Sequence, residues 1–125
     1  INDCYNANPD SMRAALRTLG AISGQIQKFA VIGNMAELGD QESELHRGLV
    51  KEIEEAHITQ TFTIGKLAKH TFDALEENGK PAAHFETKTE LAEALKKMAK
   101  KGDVVLVKGS RSAALEEVTE LLLKD

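Results

Sequence analysis

The chain has 125 residues, 42% of them hydrophobic and 29% charged, with a net charge of -4. That is enough for one domain around one core, burying roughly two thirds of the surface its unfolded form exposes. Acidic and basic residues are mixed along it, which excludes the concentrated basic face of a nucleic-acid binder. No apolar run approaches the ~18 residues of a membrane span, and no signal peptide is visible. The single cysteine, Cys4, allows no internal disulfide and suits a reducing compartment.

The chain opens on Ile1, and its first strand reads as cut short, the expectation for a domain excised from a longer protein. The strand runs into a polar loop and a helix start. Asn8 is a good N-cap, Pro9 suits the first helical position and Asp10 complements the helix dipole. Met12, Ala15, Leu16 and Leu19 then recur at helical spacing, with Gly20 and Gly24 as the stop. Residues 28–33 form a nearly continuous apolar run, as in a strand buried on both faces of a parallel sheet.

After the loop at 34–40, Leu45, Leu49 and Ile53 predict one helix. A third strand is expected at 61–65 and a helix at 66–77, closed by Asn78 and Gly79. Residues 82–85 are a weaker strand, placed towards one edge of the sheet. Thr87 and Glu90 have capping-box spacing ahead of Leu91, Leu95 and Met98. The Lys-rich run at 96–101 reads as the solvated C-terminal end of that helix. The strongest strand is 103–108, and Gly109, Ser110, Arg111 and Ser112 open a last helix carrying Leu115, Val118 and Leu122.

This is a β-α unit repeated five times. It predicts right-handed crossovers and a Rossmann-like three-layer α/β sandwich, a mainly parallel sheet of about five strands with helices on both faces. Ligands of such sheets bind beyond the carboxyl ends of the strands, so the loops at 3–8, 34–40 and 109–112 should share one rim.

No G-x-G-x-x-G follows the first strand and no G-x-x-x-x-G-K-[ST] occurs, so any nucleotide site is partial. The histidines at 46, 57, 70 and 84 lack metal-ligand spacing, and no metal site is expected. Glu37, Asp40, Glu42 and Glu44 read as a helix-start charge preference rather than a cation site. A cation at a strand end (Lys108), a glycine for close approach (Gly109) and hydroxyls at a helix start (Ser110, Ser112) together suit an anion, which Arg111 could clamp bidentately. A receiver domain has the same five-fold repeat, but the third strand ends at Ile64-Gly65, where that domain needs a phospho-acceptor Asp.

Three strings together closely resemble the C-terminal domain of the Mur ligase family: Asn2-Asp3-Cys4-Tyr5-Asn6-Ala7-Asn8-Pro9-Asp10-Ser11-Met12; Val31-Ile32-Gly33-Asn34-Met35-Ala36-Glu37-Leu38-Gly39, followed by His46; and Leu106-Val107-Lys108-Gly109-Ser110-Arg111-Ser112. The resemblance covers essentially the whole chain. Within the family, Tyr5-Asn6-Ala7-Asn8-Pro9 and Lys108-Gly109-Ser110-Arg111-Ser112 point to the member that uses D-alanyl-D-alanine. One departure is Asn34, where the family more often has Asp.

The resemblance implies a three-domain cytoplasmic enzyme of peptidoglycan synthesis. An N-terminal domain holds a UDP-sugar tripeptide, a central ATPase domain carries the P-loop and magnesium, and the C-terminal domain closes over ATP and the incoming dipeptide. ATP phosphorylates the tripeptide carboxylate, the dipeptide amine attacks the acyl phosphate, and a tetrahedral intermediate collapses to amide and phosphate. By motif, Asp3 would bind the ribose hydroxyls, with Tyr5, Asn6 and Asn8 near the nucleotide. Asn34, Met35, Glu37, Leu38, His46 and Ser112 would be substrate-binding, and Lys108, Ser110 and Arg111 would act on the acyl and dipeptide side. ATP and Mg belong to the full-length enzyme; this domain alone is expected to hold neither and to be inactive. The alternative from another class is a non-catalytic Rossmann-like module that docks on a partner through its loop rim.

Overall fold

The structure, a computed structural model, describes residues 2–3, 8–35, 39–109 and 115–123. Five strands, β1 (Asn2–Asp3), β2 (Lys28–Ile32), β3 (Gln60–Ile64), β4 (Ala82–Phe85) and β5 (Val104–Lys108), form one sheet in the order β1-β5-β2-β3-β4. All four pairings are parallel. The helices are α1 (Pro9–Ala21), α2 (Glu42–Arg47), α3 (Val50–Glu55), α4 (Lys69–Glu77), α5 (Lys88–Met98) and α6 (Glu116–Leu123), with a 3-10 turn at Gly39–Gln41.

Strand order decides which face each helix covers. The steps from β1 to β2, β3 and β4 all run one way across the sheet, so right-handed crossovers put their helices on the same face. The return from β4 to β5 runs the other way, and α5 moves to the opposite face. The core divides accordingly. Met12, Leu16 and Leu19 of α1, Ile53 of α3 and Leu75 of α4 pack with Ala30, Ile32 and Leu106. Leu91 and Leu95 of α5 and Val118 of α6 pack with Phe29, Val31, Phe62 and Val107. Alternation along each strand feeds both layers. Phe62 joins the second layer across three strands, with ring centroids 6.2 Å from Phe29 and 5.9 Å from Phe85.

The first helix starts as its residues dictate. Asn8 is extended, its side-chain oxygen accepts from the Ser11 amide at 2.8 Å, and its own amide donates to Ser11 Oγ at 3.1 Å. Both bonds satisfy amides that the helix leaves without partners. We expect Asn8→Ala to cost about 1 kcal/mol; an unchanged urea midpoint would show that the cap adds nothing. At α5 only half of the expected box forms. Thr87 Oγ1 accepts from the Glu90 amide at 3.2 Å, but the Glu90 carboxylate takes the Thr87 hydroxyl, at 2.9 Å, rather than its backbone.

Two helices differ from the sequence reading by more than a residue. The single helix expected through Leu45, Leu49 and Ile53 is divided into α2 and α3 at Gly48-Leu49. Both residues keep right-handed dihedrals, with ψ of -12° and -15°, and the Leu49 amide reaches back three residues to His46 O at 3.4 Å. The break is therefore a tightened 3-10 step in a continuous path. The helix expected from residue 66 begins at Lys69, because residues 65–68 form a turn with Gly65 at φ +103°. The start of α6, expected at residues 109–112, lies outside the described residues apart from Gly109.

Candidate functional site at the carboxyl edge of the sheet

Strand register brings the three motif strings together. Asp3 pairs with Lys108, Lys108 with Ile32, Ile32 with Thr63, and Thr63 with His84, one row across all five strands. The loops after β1, β2 and β5 leave this row side by side. The reversal of strand order lies here too, since β5 returns between β1 and β2. A doubly wound sheet opens its ligand crevice at such a switch point.

The floor of this edge is polar although it is buried. His46, Thr63, Thr71 and Lys108 are all fully buried. Lys108 follows Leu106 by two residues and so falls on the sheet face covered by α1. It is the one lysine or arginine buried among the described residues. A lysine buried at a strand end needs polar or charged neighbours. Thr63 Oγ1 and His84 Nδ1 are 2.7 Å apart, and burial holds the His84 pKa below its usual value.

Beyond the row, three consecutive residues are each tied to a different element. The Gly33 amide donates to Lys108 O at 2.9 Å. Asn34 Oδ1 accepts from the amides of Leu67 and Ala68, at 3.0 and 2.9 Å. The Met35 amide donates to His46 Nε2 at 2.9 Å. Asn34 thus caps α4 from another strand end, since Ala68 offers that helix no side-chain cap of its own. The cap uses a carbonyl oxygen as acceptor, a part that Asn performs as Asp would, so the departure from the family string costs this function nothing.

Gly65 and Gly109 make the close approaches possible. A Cβ on Gly65 would lie 2.5 Å from Asn34 Oδ1, and one on Gly109 would lie 2.5 Å from Leu115 Cδ1 and 3.1 Å from Gly33 Cα. A cavity of about 490 Å³ opens at the same edge, lined by Ile64, Gly65, Glu86, Thr87, Lys88, Thr89 and Glu117. Lys88 and Glu117 bridge α5 to α6 there at 2.9 Å.

The expected site residues sort into three groups. Asp3 and Lys108 stand in register at the edge, and Asn34 follows one strand beyond them. Asn8, Asn34, Met35 and His46 are committed to the fold: Asn8 to the α1 cap, Asn34 to the start of α4, Met35 to the core, and His46 to two backbone groups. These contacts position the rim. Tyr5, Asn6, Glu37, Leu38, Ser110, Arg111 and Ser112 lie outside the described residues, as do Cys4 and the Asp3 side chain. The sequence reading missed Thr71, whose hydroxyl donates to His46 O at 2.7 Å. No spacing signal marks a threonine in a helix as a support for another helix's backbone. Among the described residues no three His, Cys, Asp or Glu side chains gather to hold a metal ion, and no helix is long and apolar enough to cross a membrane.

A sheet of this order with these strings at its switch point is the architecture of a Mur ligase C-terminal domain. The family model described as "Mur ligase, glutamate ligase domain" matches residues 1–111, and the chain belongs to that family. Within it, the chain is 39% identical to the UDP-N-acetylmuramoyl-tripeptide--D-alanyl-D-alanine ligase of Bacillus subtilis over 99% of its own length, and 37% identical to that of Escherichia coli over 98%. It spans 28% and 26% of the lengths of those relatives. Among solved structures it resembles MurF from Acinetobacter baumannii, with a TM-score of 0.85 and 28% identity, covering 98% of this chain and 27% of that one. It also resembles MurF ligase from Thermotoga maritima in complex with ADP, with a TM-score of 0.80 and 29% identity, covering 96% of this chain and 26% of that one.

Proposed function

We propose that this chain is the C-terminal domain of a cytoplasmic ATP-dependent ligase that joins D-alanyl-D-alanine to UDP-N-acetylmuramoyl-tripeptide. The observation that carries the reading is the register row: Asp3, Lys108 and the exit of β2 stand side by side, so the three family strings meet at one crevice. Support also comes from the relatives named as D-alanyl-D-alanine ligases and from the similar ligase solved with ADP.

The residues fit an anionic, nucleotide-bearing partner. The α1 start that follows β1 presents the positive end of a helix dipole, and Asp3 ends the first strand, a position from which a carboxylate could accept from a ribose diol. In this reading Tyr5 and Asn6 flank the nucleotide, while Lys108, Ser110 and Arg111 face the acyl group as it gains negative charge. Glu37, Leu38 and Ser112 face the dipeptide. Preorganised donors at such a position stabilise a tetrahedral oxyanion that water would solvate only after reorganising. ATP is a substrate of the whole enzyme, and magnesium is assigned to the central ATPase domain. The N-terminal UDP-sugar-binding domain and the central domain of the same chain are the partners that complete the site.

The direct test is a ligation assay on the full-length enzyme, offering D-alanyl-D-alanine against D-glutamate and diamino acids. Amide formation with the dipeptide alone is the expected result, and selective use of D-glutamate or a diamino acid would overturn the reading. In the same enzyme Asp3→Ala should weaken ATP binding by about 1.5 to 3 kcal/mol, the range for hydrogen bonds to a charged group. Titration calorimetry with ATP measures this, and an unchanged affinity removes Asp3 from the nucleotide.

A further inference from the structure

We propose that His46 is a positioning residue for the ligation, acting through the backbone of Met35, and that only its neutral ring can serve. This rests on the ligase reading for its effect on turnover, though the contact itself does not.

The ring's protonation follows from its partners. The Met35 backbone N-H can only donate, so Nε2, 2.9 Å away, must present its lone pair. The proton then sits on Nδ1 and donates to Glu42 O at 2.6 Å. Both ring nitrogens are used, the side chain is fully buried, and neither is left for a ligand. A second proton on Nε2 would set N-H against N-H in a place where no water can intervene. The titratable groups facing the ring are Glu42 on its own helix, whose carboxylate favours a second proton, and His70 on α4, which opposes it. Burial opposes it most strongly, and the ring titrates below its usual value.

The contact is placed where it matters for positioning. Gly33, Asn34 and Met35 are held by β5, α4 and α2 respectively, so the exit of β2 is clamped from three sides. Of the three clamps, only that of His46 can be released by protonating a side chain, and burial moves that release to lower pH than for a free histidine. Thr71 steadies it from behind through His46 O, at 2.7 Å. Catalysis by alignment is sensitive to small displacements of a loop leaving the sheet edge, so release of Met35 should lower kcat more than it raises KM.

Two measurements test this. In the 125-residue chain, nitrogen chemical shifts of the His46 ring should report the Nδ1-H tautomer near pH 7.5 and a titration below that of a free histidine; the Nε2-H tautomer overturns the proposal. In the full-length enzyme, His46→Gln supplies an amide oxygen that can accept from Met35 but takes no proton. It should keep kcat within about threefold of wild type at pH 8 and shift the acid limb of the kcat profile to lower pH. His46→Leu should lose about tenfold or more in kcat at every pH, with KM for the dipeptide changed less. His70→Gln should retain the acid limb, moved slightly to higher pH by loss of a group that opposes the second proton. An acid limb identical in wild type and His46→Gln, or one abolished in His70→Gln, refutes the proposal. A full-length enzyme that does not join D-alanyl-D-alanine refutes the ligase reading instead, and the ring's tautomer still decides the clamp.

Discussion

Arg111→Ala in the full-length enzyme is expected to lower turnover by about 10²- to 10³-fold, the effect of removing one preorganised donor to a developing oxyanion. Arg111 follows Gly109 by two residues, and Gly109 is fixed: its Cα region packs against Gly33 and Leu115 so closely that a Cβ would meet both. The string carrying Arg111 therefore leaves β5 from a defined point beside the exit of β2. In the proposed reading a guanidinium there would hold the reacting group in a planar, bidentate way that a lysine cannot reproduce, so Arg111→Lys should recover only part of the loss. If Arg111 serves the reaction and not the fold, the melting temperature of the Ala variant should stay near wild type. Steady-state kinetics beside a thermal melt separates the two effects. Undiminished turnover in the Ala variant would take Arg111 out of the reacting site.

Much of this architecture was legible because local signals agreed with one another. Residues 29–32 and 104–107 are apolar throughout, as suits a strand covered on both faces. Asn8-Pro9-Asp10 before a helical apolar face announced α1, and the structure closes that cap with Ser11 as well. The rim followed from the β-α alternation, since parallel strands place every connecting loop after a strand on the same edge.

What stayed hidden depends on contacts distant in sequence. Asn34 read as a rim residue because it follows a strand; its partners are amides 33 and 34 residues further on, and no local pattern announces them. His46 was expected to bind substrate only through its place in the family string. Its burial comes from the packing of α2 against α4 and the exit of β2, which a single helix wheel does not contain. The start of α4 was placed three residues early for the same reason, since its cap is supplied by another strand end.

The last expectation turns on that cap. Gly65→Ala should destabilise the chain by about 2 to 5 kcal/mol, the sum of a left-handed backbone and an overfilled contact. The first part is local: φ of +103° is a conformation that an L side chain rarely adopts. The second part belongs to Asn34, whose Oδ1, Cγ and Nδ2 would lie 2.5, 2.8 and 2.9 Å from the new Cβ. Asn34 cannot simply swing aside, because its oxygen holds the amides of Leu67 and Ala68. Asn34→Ala alone should cost about 0.5 to 2 kcal/mol as a lost cap. In the double variant the obstacle has gone together with the cap, so the combined loss should fall short of the sum of the single losses by about 1 to 3 kcal/mol. Urea melts of the four proteins close this cycle. Strict additivity would mean that Gly65 is required by its dihedral alone, and that Asn34 yields to the new Cβ while still capping the start of α4.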